Sequence, residues 1–164
     1  MSATNHKQTY LNQVFEIAAA ARADGDHPFG ALVVVEGIVV AEARNRVHTN
    51  RDITAHAELM LVRNLERDGL LDQLALGTVY ASCEPCPMCV GGMFWAGARS
   101  IVYGLSAQRL NELATPAEAT PFGFVITAGQ LSAQASPVML VDGPNLEDEA
   151  AVAHRGYWTP TGAT

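Results

Sequence analysis

Thr54-Ala55-His56-Ala57-Glu58-Leu59-Met60-Leu61-Val62 reads as the opening of a helix, Thr78-Val79-Tyr80-Ala81-Ser82 as a strand, and Pro85-Cys86-Pro87-Met88-Cys89 as the opening of a second helix. The rest of the chain is built around this helix–strand–helix unit. Thr54 offers an N-cap hydroxyl, and Ala55 to Arg67 then carries Leu61, Val62 and Leu65 along one side. Glu58 stands three and four residues before Leu61 and Val62, so it shares their inward face. The second helix is expected over Pro85 to Ala96, with proline near its start and Gly97 as its stop.

Working outward, Lys7 to Ala23 repeats apolar residues at a helical period (Tyr10, Leu11, Val14, Phe15, Ile17, Ala18) and ends at Asp24-Gly25. Gly30 to Val35 and Ile38 to Ala43 are β-branched runs divided by Glu36-Gly37, a tight hairpin signal. Asn45 to Ile53 is polar and reads as a loop, and Gly69 to Gly77 as a link. Downstream, Ser100 to Tyr103 predicts a strand and Ala107 to Ala114 a helix. Thr115 to Gln134, with two prolines and two glycines, has no readable period. Pro137 to Val141 predicts a strand. Asn145 to Arg155 predicts a last helix, capped by the asparagine, with Glu147, Asp148 and Glu149 in its first turn and His154-Arg155 at its end. The order αββαβαβα(β)α implies a three-layer α/β/α domain whose first two strands are antiparallel. At 164 residues, one domain over 1–164 is expected.

Apolar residues make up 49% of the chain and charged residues 16%, a globular composition. There is no apolar run of membrane-spanning length, and Met1 to Tyr10 is polar, so the cytoplasm is the expected location. Net charge is −7, and the ten Lys and Arg residues form no basic run. That weighs against a polynucleotide, whose phosphates need cationic surface.

The chemistry concentrates in His56-Ala57-Glu58 and, thirty residues after His56, Cys86-Pro87-Met88-Cys89. Zinc takes imidazole and thiolate ligands in a tetrahedral site, and a catalytic zinc keeps one position open. Cys86 and Cys89 at a helix start can face one Zn2+, and the helix N-terminus favours their anionic form. His56 supplies the third ligand. Glu58, two residues on, sits beside the open position without being a ligand, where a carboxylate can carry protons. A redox cysteine pair needs no His-x-Glu upstream, and a structural zinc site normally takes four protein ligands, for which no second cysteine pair exists. Cys83 forms another Cys-x-x-Cys with Cys86, but it falls at the strand end and is expected as a buried or site-lining thiol.

At these residues the chain resembles the cytidine deaminase-like superfamily, with its H-x-E and P-C-x-x-C signature. Within it, the chain is similar to bacterial guanine deaminases. The resemblance rests on His27-Pro28-Phe29-Gly30-Ala31, Asn45-Arg46-Val47, Asp52 to Glu58 and Ser82 to Cys89, and weakens beyond Leu105. It implies a mixed five-stranded sheet between helices, a homodimer or larger assembly, and hydrolytic loss of ammonia from a small aminated heterocyclic substrate. By the same resemblance, Asn45 binds the base through its amide, Phe29 packs on the ring, and His56 stacks beside it. Ala57 and the backbone at Ser82 and Cys83 approach it closely. Tyr157 and Trp158, in a tail over residues 143–164, are expected as a pocket lid or dimer contact. The guanine deaminases carry an acidic pair after a Gly-Phe in this region, absent here; Glu118 is expected as the second catalytic acid, with Glu112 as the alternative. That departure extends the expected substrates from guanine to isoguanine, 5-azacytosine and amino-triazines. The alternatives are a tRNA adenosine deaminase, a cytosine deaminase and, without catalysis, a zinc-binding scaffold module.

Overall fold

Glu36 and Gly37, both at positive φ, turn β1 (Gly30–Val35) back into β2 (Ile38–Arg44). That backbone matches the twist of a two-residue hairpin. The computed structural model describes residues 3–115 and 123–158, with side chains from residue 6 onward. Its five strands stand in the order β2-β1-β3-β4-β5. β3 (Thr78–Cys83) runs antiparallel to β1 and parallel to β4 (Ser100–Leu105), and β4 is parallel to β5 (Leu140–Asp142). The sheet is therefore mixed.

Alternation along the strands divides the core into two faces. Leu32, Val34, Tyr80 and Val102 meet Leu11 and Val14 of α1 (Ala3–Ala23). Ala31, Val33, Val79 and Ile101 meet Leu61 and Leu65 of α3 (Ala57–Arg67) and Val90 and Met93 of α5 (Pro87–Trp95). Helices on both faces make the expected three layers. α1 lies so close to β1 that a Cβ on Gly30 would stand 2.7 Å from the Val14 carbonyl oxygen. Only glycine fits there.

Several boundaries differ from the sequence reading. Thr54 caps nothing: its Oγ1 donates to Asp52 Oδ1 at 2.6 Å, and α3 starts two residues later than expected, with His56 itself as N-cap. The polar loop contains a short helix, α2 (Val47–Asn50), and the link before β3 contains α4 (Gln73–Leu76). β2, β3 and β4 each run further than expected, and α5 starts at Pro87, not Pro85. α6 (Ala107–Ala114) agrees with its expectation. In the unreadable stretch, Thr127 and Gln130 form a reciprocal capping box that opens α7 (Ala128–Ser132). β5 starts at Leu140 rather than Pro137. The last helix is split into α8 (Glu147–Ala150) and a 3-10 turn, Ala151–His154. Asn145 does not cap it; its Nδ2 donates to the Tyr103 carbonyl and Leu146 takes the N-cap position. Among the described residues no helix is long and apolar enough to cross a membrane.

Candidate active site

β3 and α5 meet at the carboxyl end of the parallel strands, where open α/β sheets leave a crevice. The chain leaves β3 at Cys83, passes Pro85, and enters α5 with Cys86 as N-cap and Pro87 in the first turn. α3 arrives beside it with His56 as N-cap. Two helix N-termini therefore deliver the candidate ligands, and their N–H groups favour negative charge between them.

His56 Nδ1 lies 3.7 Å from Cys86 Sγ and 3.5 Å from Cys89 Sγ, and the three candidate ligand atoms all fall within 4.8 Å of one another. Zinc bonds of about 2.3 Å to sulfur and about 2.0–2.1 Å to nitrogen, at a tetrahedral angle, separate nitrogen from sulfur by about 3.6 Å. The spacing and the donor set fit zinc. The hydrogen bond from Cys89, and then His56, pulls the Cys86 thiol down to about 4, while Cys86 in turn raises His56. Cys89 is pushed up by its hydrogen bond to Cys86, by burial and by Glu58.

Glu58 is 7% exposed, on the inner face of α3, and its carboxyl is hydrogen-bonded to Cys89. Burial raises its pKa above the ordinary range. Asn45 is as deeply placed. Its Oδ1 accepts from Val47 N at 3.0 Å, its own backbone N–H is held by the Phe29 carbonyl, and its Nδ2 is buried with no partner. An unpaired buried donor costs about 1–3 kcal/mol unless an acceptor arrives.

A set of rings stands beside Phe29. Trp158 stacks on His27 at 5.4 Å and on His154 at 6.1 Å, and its Nε1 donates to His154 Nδ1 at 3.2 Å. The Tyr157 hydroxyl lies 3.1 Å from His27 Nδ1. Arg22 of α1 donates to the carbonyls of Ala153 and Arg155 and stands over the Tyr157 ring at 5.6 Å. The tail thus docks on its own chain, next to Phe29.

The remaining sequence-derived candidates fall in different places. Ala57 is fully buried in the first turn of α3. Ser82 uses its hydroxyl to accept from Gly30 N at 3.0 Å. Cys83 is buried with Leu105, Ala150 and Ala151, in a cluster separate from that of Cys89, and burial drives its thiol pKa up. Glu112 is exposed on α6 and accepts from Gln108. Glu118 lies outside the described residues. Sequence reasoning gave no site role to Arg22, Asp26, His27 or His154. The pairing of His27 with Tyr157 spans about 130 residues, and no local signal reports it.

Residues 4–105 match the family model described as the cytidine and deoxycytidylate deaminase zinc-binding region. The chain is 37% identical over 153 residues to a protein named probable cytosine deaminase of Schizosaccharomyces pombe, covering 91% of this chain and 90% of that one. It is 39% identical over 100 residues to the guanine deaminase of Bacillus subtilis, covering 60% and 64% respectively. The family match ends at Leu105, whereas the likeness to the S. pombe protein continues past it. In three dimensions it is similar to NE0047, solved in complex with 2,6-diaminopurine, with a TM-score of 0.74 and 27% identity over 94% of this chain and 82% of that one. A zinc-ligand motif on two facing helix starts, a mixed sheet and this match together show that the chain belongs to the cytidine and deoxycytidylate deaminase family, a family of zinc-binding deaminases.

Proposed function

We propose that this protein is a zinc-dependent hydrolase that releases the exocyclic amine of a free heterocyclic base as ammonia. The substrate class is cytosine, guanine or a related amino-azine such as isoguanine, 5-azacytosine or an amino-triazine. The observation that carries this reading is a buried carboxyl, Glu58, packed against a group of one imidazole and two thiols whose spacing fits a metal.

His56, Cys86 and Cys89 would hold the zinc. Bound there, zinc supplies Lewis acidity that makes water nucleophilic near neutral pH. Glu58 takes one proton from the attacking water and delivers it to a ring nitrogen, and then carries the second, from the new hydroxyl on the substrate carbon, to the departing amine. The carbon gains oxygen, loses nitrogen and leaves as a lactam, with one water consumed and one ammonia released. Asn45 Nδ2 is the donor for an acceptor on the base, since a ring carbonyl or ring nitrogen would satisfy it. Phe29 and Trp158 wall the ring, with Tyr157 behind them, while Ala57 and the backbone of Ser82 and Cys83 stand close to it. Glu118 is the proposed second proton carrier; Glu112, exposed and engaged by Gln108, is poorly placed for it. A free base rather than tRNA is favoured by a net charge of −7, which repels phosphates.

Ammonia release from cytosine, guanine, isoguanine, 5-azacytosine, melamine, their nucleosides and tRNA tests the assignment. Turnover of at least one free base is expected. Glu58→Ala should keep its zinc and lose about 10²–10⁴-fold in kcat, whereas Cys86→Ala should lose zinc. Undiminished turnover by Glu58→Ala, or release confined to tRNA, overturns the proposal.

A further inference from the structure

Asp26, in the link between α1 and β1, is fully buried, and the proposed chemistry makes no use of its charge. Its Oδ1 accepts from the backbone N–H groups of His48 at 2.8 Å and Thr49 at 3.0 Å, and its Oδ2 accepts from Thr49 Oγ1 at 2.5 Å. Arg46 Nη1 lies 3.9 Å away. Burial pushes its carboxyl up, but these hydrogen bonds and the Arg46 charge hold it below the ordinary carboxylate range.

The groups it holds matter because of what precedes them. A helix leaves its first N–H groups without intrahelical partners. In α2 these are Val47, His48 and Thr49, in succession. Asn45 Oδ1 takes the first and Asp26 Oδ1 the other two. One short turn is therefore pinned by two side chains, and the bond to Val47 fixes which end of the Asn45 amide faces away. With Oδ1 turned to the backbone, Nδ2 is left as the buried unpartnered donor. If the turn shifts, Val47 N leaves Oδ1 and the amide can rotate.

We infer that Asp26 is a positioning residue for base recognition: by holding the first turn of α2 it fixes the Asn45 amide with its donor end free. This rests on the proposed role of Asn45, and the test separates the two. The probe is the Asn45 side-chain NH₂ pair in ¹⁵N-labelled zinc-loaded protein, assigned by its disappearance in Asn45→Ala. In wild type the pair stands apart from random-coil shifts. Asp26→Asn keeps an oxygen for His48 and Thr49, so the pair stays in place. Asp26→Ala removes it, and the pair moves to the random-coil position while zinc content is unchanged. If Asp26→Ala does not fold, Thr49→Val, which deletes only the hydroxyl bond, moves the pair part of the way. A pair that stays put in the folded variant overturns the inference.

Kinetics with cytosine and guanine give the second arm. Asp26→Ala is expected to raise KM about tenfold with kcat within threefold, and the Asp26→Ala/Asn45→Ala double variant to be no worse than Asn45→Ala alone. Additive losses mean that Asp26 does not act through Asn45. If Asn45→Ala itself leaves KM unchanged, the base-binding role fails while the resonance shift still decides what Asp26 holds.

Discussion

His154 is 1% exposed; one ring nitrogen accepts from Trp158, and the other, Nε2, is buried without a partner. Burial, and then the Arg22 charge, push its pKa down to about 4. Above pH ~6.5 the ring is neutral in both native and unfolded chains and contributes nothing to pH dependence. As pH falls below that value the unfolded chain takes a proton that the native ring resists. Stability is therefore lost progressively toward pH ~4, by about 3 kcal/mol in all. Urea unfolding of His154→Phe and wild type from pH 7 to pH 4 checks the sign: the variant should gain on wild type as pH falls, and a constant difference refutes it. Legibility at this scale was uneven. His56, Cys86, Cys89 and Glu58 were readable because metal chemistry restricts residue type and spacing so tightly. Asp26 and His154 were not, since their roles come from backbone groups and rings that the fold brings from elsewhere in the chain.

Gly30 shows how closely the elements meet. A methyl group there would collide with backbone atoms of Val14 and Ala18, which cannot rotate aside. Gly30→Ala should cost about 2 kcal/mol and lower Tm by about 6 °C; calorimetry showing an unchanged Tm would mean that α1 can shift off β1 freely. The same scale explains which boundaries the sequence could announce. Period and β-branching located α1, the hairpin, α3, β3, α5 and β4, because each contributes a stripe of side chains to the core; α6 was located too, although none of its residues is buried. Helix starts were misplaced where a rival acceptor captured the capping side chain: Asp52 holds Thr54, and the Tyr103 and Asp142 carbonyls hold Asn145. α2 is held by Asp26 from the link between α1 and β1, and its four residues are too few to show a helical period.

Across the whole molecule, the tail closes the ring cluster from the far end of the chain. Arg22, His27 and Phe29 receive Ala153, His154, Arg155, Tyr157 and Trp158. Deleting residues 157–164 should raise KM for the turned-over base about tenfold with zinc content unaltered; unchanged kinetics would dissociate the tail from the pocket. All three side chains of the candidate metal group lie within the first 89 positions, whereas Tyr157 and Trp158, which complete the ring cluster begun by His27 and Phe29, come more than sixty residues later. On a translating ribosome, then, the candidate ligand set is exported well before the tail half of its ring cluster.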